Sequence, residues 1–93
     1  MLNNISSYIV EFIGTFIFMY VIITTGEAIP IGITLAAMVY FGGKISGGAF
    51  NPAVSIMLFL NKKINKISLL VYLFVQFLAA FLAYKAYILL KWF

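Results

Sequence analysis

From Ser7 to Thr25 the chain carries a single charged side chain, Glu11, and from Ile29 to Phe41 it carries none. A third apolar run, Ile67 to Leu90, carries a single charged side chain, Lys85. A helix needs about 20 mainly apolar residues to cross a hydrocarbon layer ~30 Å thick. In a chain of 93 residues, three such spans leave roughly thirty residues over, too few for a water-facing domain of any size. The rest of the composition agrees, with 66% of residues hydrophobic and 9% charged, against about 25% charged in a soluble domain. There are too few polar side chains to cover a soluble surface. The expected class is an all-α, multi-pass integral membrane protein. One unit covers 1–93, with spans at about 7–25, 29–43 and 67–90, the second ending at a break at Gly42 and Gly43. Met1–Ser7 lacks the basic stretch that opens a signal peptide, so the first apolar run is expected to be retained. Lys91 and Trp92 read as interfacial anchors.

The residue types that are missing narrow the function further. The chain has no Cys, no His and no Arg, and its only acids are Glu11 and Glu27. Metal sites draw on Cys, His and clustered carboxylates, so none can be assembled here and no cofactor is expected. Nucleophile–base pairs of the Ser–His or Cys–His kind are equally impossible, which argues against an enzyme. The net charge of +4 comes from Lys44, Lys62, Lys63, Lys66, Lys85 and Lys91. With almost no exposed aromatics between them, these lysines read as topology determinants and not as a nucleic-acid surface.

The stretch from Lys44 to Ala53 carries the most information. Asn51 is a favoured helix N-cap and Pro52 is favoured at the first helical position. A helix opening there is stopped by Asn61, Lys62 and Lys63, so it runs over Pro52–Leu60. That is about nine residues and about 14 Å at 1.5 Å per residue, half of a ~30 Å core. An apolar helix this short reads as a re-entrant half-helix. The glycine-rich approach to it is then irregular backbone at membrane depth, which is tolerated only against protein or a wet cavity. Two such elements make a pore; one makes half of a pore.

Ser46-Gly47-Gly48-Ala49-Phe50-Asn51-Pro52-Ala53-Val54-Ser55 resembles the first signature of the aquaporin and glycerol-facilitator family, the major intrinsic proteins. Glu11-x-x-Gly14-Thr15 on the first span and Gln76-x-x-Ala79-Ala80 on the third strengthen the resemblance, which covers only the first of the family's two repeats. It implies that Asn51, Pro52 and Ala53 form the pore motif, with the Asn51 amide donating to the permeating molecule. A purely structural cap is the plainer reading of Asn51. The carbonyls of Gly47, Gly48 and Ala49 match the family's ladder of acceptors for single-file water. Glu11 and Gln76 match its loop braces; a transported-ion site and a simple interhelical contact are the respective alternatives. The half-helix N-terminus would repel cations at the pore centre. Gly32 and Ala36, and the small residues near Glu11 and Gln76, read as packing devices. Tyr40, Tyr72, Tyr84 and Tyr87 read as interfacial or core aromatics.

The sequence also departs from the family pattern. The family's selectivity constriction uses an Arg and a His that this chain lacks. Its constriction candidates are Ile31 and Val54. An aliphatic Ile31 in place of a large aromatic points away from water-only selectivity, and Ala49 occupies a position that commonly holds His. The expected function is a channel half-subunit passing water or a small neutral solute such as glycerol. It would pair with another half-channel chain, as a homo- or hetero-oligomer. The alternatives are a non-conducting membrane interaction protein and a fragment of a longer channel chain. Lys44, Lys62, Lys63 and Lys66 against Lys85 and Lys91 favour a cytoplasmic N-terminus, which mildly opposes an antiparallel homodimer.

Overall fold

Three of the four helices begin where an asparagine side chain takes up an otherwise orphaned backbone N–H group. The computed structural model describes residues 4–90, and Lys91, Trp92 and residues 1–3 lie outside them. Four helices make up the described chain: α1 (Ile5–Thr25), α2 (Ala28–Ser46), α3 (Pro52–Leu60) and α4 (Lys66–Leu90). A capping box opens α1: the Ser7 N–H donates to Asn4 Oδ1 at 3.0 Å, and the Asn4 N–H donates to Ser7 Oγ at 3.3 Å. Gly26, left-handed at φ 61°, closes it by donating its N–H to the Ile22 carbonyl. Pro30 sits in the first turn of α2, where a missing N–H leaves no bond unmade. Asn51 opens α3, and Asn65 opens α4 by accepting the Ser68 N–H at 2.8 Å.

The second helix corrects the expectation of a break at Gly42 and Gly43. It continues through both glycines to Ser46. Glycine weakens a helix by only about 1 kcal/mol relative to alanine, which a packed helix tolerates. The left-handed backbone that ends α2 falls later, at Gly47 (φ 89°) and Gly48 (φ 68°).

Three of the helices, α1, α2 and α4, are long and apolar enough to cross a membrane. Tyr8 on α1 hydrogen-bonds Ser68 on α4, and Glu11 accepts from Gln76. Residue numbers rise together along the two helices, so α1 and α4 run parallel. Ser46, the last residue of α2, also meets Glu11, so α2 runs antiparallel to both. α1 packs against α2 and α4, whereas α3 lies along α4 alone. Large apolar side chains such as Ile9, Ile13, Phe74, Phe77 and Phe81 face outward. The buried set mixes Tyr72, Phe50 and Ile64 with Ser7, Glu11, Thr15, Ser46, Ser55, Ser68 and Gln76. This reverses the soluble pattern and suits helices in lipid, where apolar burial gives no net drive and polar contacts hold helices together.

Candidate functional site

The five residues between α2 and α3 cannot satisfy their own backbone. Gly47, Gly48 and Phe50 all have left-handed φ, which rules out a continuous ladder of main-chain bonds. Neighbouring side chains take its amides instead. The Gly48 N–H donates to Ser46 Oγ at 3.1 Å. The Ala49 N–H donates to Glu11 Oε2 at 3.1 Å, and the Phe50 N–H donates to Glu11 Oε1 at 2.8 Å. Ser46 Oγ also donates to Oε2 at 2.6 Å, and Gln76 Nε2 donates to Oε1 at 2.9 Å. Each oxygen of this fully buried carboxyl group therefore accepts two hydrogen bonds.

α4 completes the brace. Gln76 Nε2 makes a second bond, to Ser55 Oγ at 2.7 Å, and Ser55 Oγ donates to the Asn51 carbonyl at 3.0 Å. The Tyr72 hydroxyl donates to the Ser46 carbonyl at 2.6 Å, satisfying the open C-terminal end of α2. The linker is thus tied to α1 through Glu11 and to α4 through Gln76 and Tyr72. Gln76 lies ten residues beyond the start of α4, about 15 Å along its axis. The N-terminus of α3 is held at that depth.

Asn51 is the residue this scaffold presents. Its Oδ1 accepts the Val54 N–H at 2.9 Å and is committed to the cap. Its Nδ2 donates to no other described residue, and the side chain is partly exposed. Pro52 fills the first helical position and Ala53 is exposed. Gly47 and Gly48 are partly exposed, and no described group donates to their carbonyls. Ala49 differs from them. It is 2% exposed and packs with Leu58, Ile64 and Tyr72, because its tethered N–H draws it inward. Of the three expected acceptor residues, the accessible ones end at Gly48.

The two constriction candidates are not brought together. Val54 packs against the Ala49–Leu58–Ile64–Tyr72 cluster, and Ile31 lies near the opposite end of α2. No Cα of α2 comes within 8 Å of one in α3. Several contributors escaped the sequence reading, chiefly Ser46, Ser55, Tyr72 as a hydrogen-bond donor, and Phe50. The signal for part of this set was a period of four: Ser68, Tyr72 and Gln76 share one buried face of α4, as Ser7, Glu11 and Thr15 do on α1.

The family model described as "Major intrinsic protein" matches residues 24–93. The chain is 33% identical over 88 residues to glycerol uptake facilitator protein-like 6 of Lactiplantibacillus plantarum, covering 85% of this chain and 41% of that protein. It is 34% identical over 92 residues to probable aquaporin PIP2-7 of Oryza sativa subsp. japonica, covering 77% of this chain and 32% of the relative. Against probable aquaporin PIP1-5 of Arabidopsis thaliana it is 37% identical over 89 residues, with 77% and 31% covered. The chain thus spans between 31% and 41% of the length of these relatives. No solved structure matches it significantly. With three apolar helices, an Asn-capped short helix and a matching family model over most of its length, the chain belongs to the major intrinsic protein family.

Proposed function

We propose that this chain forms one half of a membrane channel that passively conducts water or small neutral solutes such as glycerol. The second half would be inverted in the membrane, supplied by another copy, a separate chain or a longer form of the same protein. The observation that carries the reading is Asn51, whose oxygen is fixed by the cap while its Nδ2 stays free to donate. The N-terminus of α3 adds about half a positive charge at the same point, which favours neutral permeants over cations. In this reading α3 is a re-entrant half-helix: its nine residues reach about halfway through a ~30 Å core. Gly47 and Gly48 offer their carbonyls on the approach, Ile31 lines the far vestibule, and Glu11 and Gln76 hold the linker. The N-terminus lies on the cytoplasmic side, because Lys44, Lys62, Lys63 and Lys66 share its end of the molecule.

The test is osmotic shrinkage of proteoliposomes containing the chain, with water and then glycerol as permeant. Reconstitution from detergent inserts copies in both orientations, so permeability should rise above protein-free vesicles, and Asn51→Asp should abolish the rise. Aspartate keeps the capping oxygen and suits a helix N-terminus, so the fold is retained while the donor is lost. Permeability that stays at the lipid background would overturn a channel built from this chain alone.

A further inference from the structure

We propose that Phe50 is a positioning residue for Asn51, acting as a ring-shaped key seated in a slot that Gly14 of α1 and Gly42 of α2 leave open. The inference rests on the pore reading of Asn51 and adds a residue that sets where its amide stands. Phe50 has φ 56°, a left-handed backbone that favours glycine, yet the position holds one of the largest side chains. That side chain is 1% exposed. A Cβ on Gly14 would overlap Phe50 Cε1 and would stand 2.6 Å from Cδ1. A Cβ on Gly42 would stand 3.1 Å from Phe50 Cζ and 2.8 Å from Val10 Cγ1. The ring therefore fits against α1 only because Gly14 lacks a side chain, and the missing side chain at Gly42 leaves it room on the α2 side.

Two restraints meet at this residue. The N–H of Phe50 is held by Glu11, which fixes the backbone, and its ring is held by the slot, which fixes the direction in which the chain leaves. Asn51 follows directly. Beyond the ring lies an apolar cavity of about 170 Å³ lined by Val10, Ile13, Met38, Phe41 and Ile45. A smaller side chain at 50 would leave the ring's space joined to that cavity, with only the hydrogen bonds to Glu11, Tyr72 and Ser55 to hold the linker.

The discriminating variant is Phe50→Gly. If only the backbone at 50 matters, glycine relieves the left-handed conformation, and the variant should match or exceed the parent in stability and in permeability gain. If the ring is the key, the permeability gain is lost. In nanodiscs, the side-chain amide resonances of Asn51 then broaden or split, while helicity and the Glu11-bound Ala49 amide change little. Gly14→Ala should shift the same Asn51 resonances, and the Gly14→Ala/Phe50→Leu double variant should move them back, because the smaller side chain makes room for the new methyl. Unchanged Asn51 resonances in Phe50→Gly, or no rescue in the double variant, overturn the proposal. The resonance measurement needs no conduction. Moved resonances in a chain whose parent form conducts nothing leave the key standing and count only against a channel built from this chain alone.

Discussion

Glu11 has no solvent exposure, and its place inside a membrane helix depends on the four hydrogen bonds its two oxygens accept. A buried charge without such partners is prohibitively costly. Two of those partners are backbone amides with no other acceptor among the described residues, so the dependence runs both ways. Glu11→Ala should lower stability by at least about 2 kcal/mol, since each orphaned buried N–H costs about 1 kcal/mol or more. Thr15, one turn further along α1, makes the contrast, because its buried Oγ1 has no hydrogen-bond partner among the described residues. Thr15→Val should be neutral or stabilising by up to about 1 kcal/mol, because it removes an unsatisfied hydroxyl at nearly constant shape. Thermal unfolding in detergent followed by circular dichroism measures both, and a destabilised Thr15→Val would contradict this account. Glu11 and Gln76 were legible in the sequence because each is a polar group in an apolar run. Ser46 and Ser55 were not, since a serine in a helix carries little contrast. Phe50 was invisible for the opposite reason: an aromatic residue in so apolar a chain announces nothing until its neighbours are known.

At the level of elements, α2 shows what local sequence signals leave out. Paired glycines read as a break, and the structure carries the helix straight through them to Ser46. What ends a helix is the backbone conformation that follows, and four glycines within seven residues do not reveal which of them adopt it. Substitutions separate the cases. Gly43 has ordinary space for a methyl, its nearest foreign atom being Val39 Cγ1 at 3.9 Å. Gly43→Ala should therefore stabilise the protein by about 0.5–1 kcal/mol, the usual gain in a helix interior. Gly47 has φ 89°, and Gly47→Ala should cost about 1–2 kcal/mol. A helix broken at Gly43 would reverse the first sign, and the same unfolding measurement reads it. By contrast, the start of α3 could be read directly, because Asn51 and Pro52 are a cap and a first-turn residue whose preferences agree. α4 begins with a cap too, at Asn65, but the lysines around it hid the signal.

Across the whole molecule, the parallel run of α1 and α4 gives the two ends different characters. The end that holds the α1 N-terminus also holds Lys44, Lys62, Lys63 and Lys66, whereas Lys85 lies toward the other, its Nζ 5.4 Å from the Phe81 ring centroid. α3 lies between the lysine-rich end and the depth of Gln76, and among the described residues only α1, α2 and α4 continue beyond Asn51. A partner half-helix would have to approach from the opposite end, so a channel made of two identical copies requires that they insert in opposite orientations. The lysine asymmetry works against equal insertion, and the positive-inside preference predicts that most copies place Asn61 on the cytoplasmic side. The chain contains no cysteine, so Asn61→Cys gives a single reporter at an exposed site just past α3. A membrane-impermeant maleimide applied to intact cells or to inverted vesicles then counts each orientation. Labelling from the cytoplasmic side alone is the expected result; it rules out the antiparallel homodimer and assigns the second half to a different polypeptide segment. Comparable labelling from both sides would show that the lysine count does not orient this chain, and two copies of the same half-subunit would then suffice for the pore.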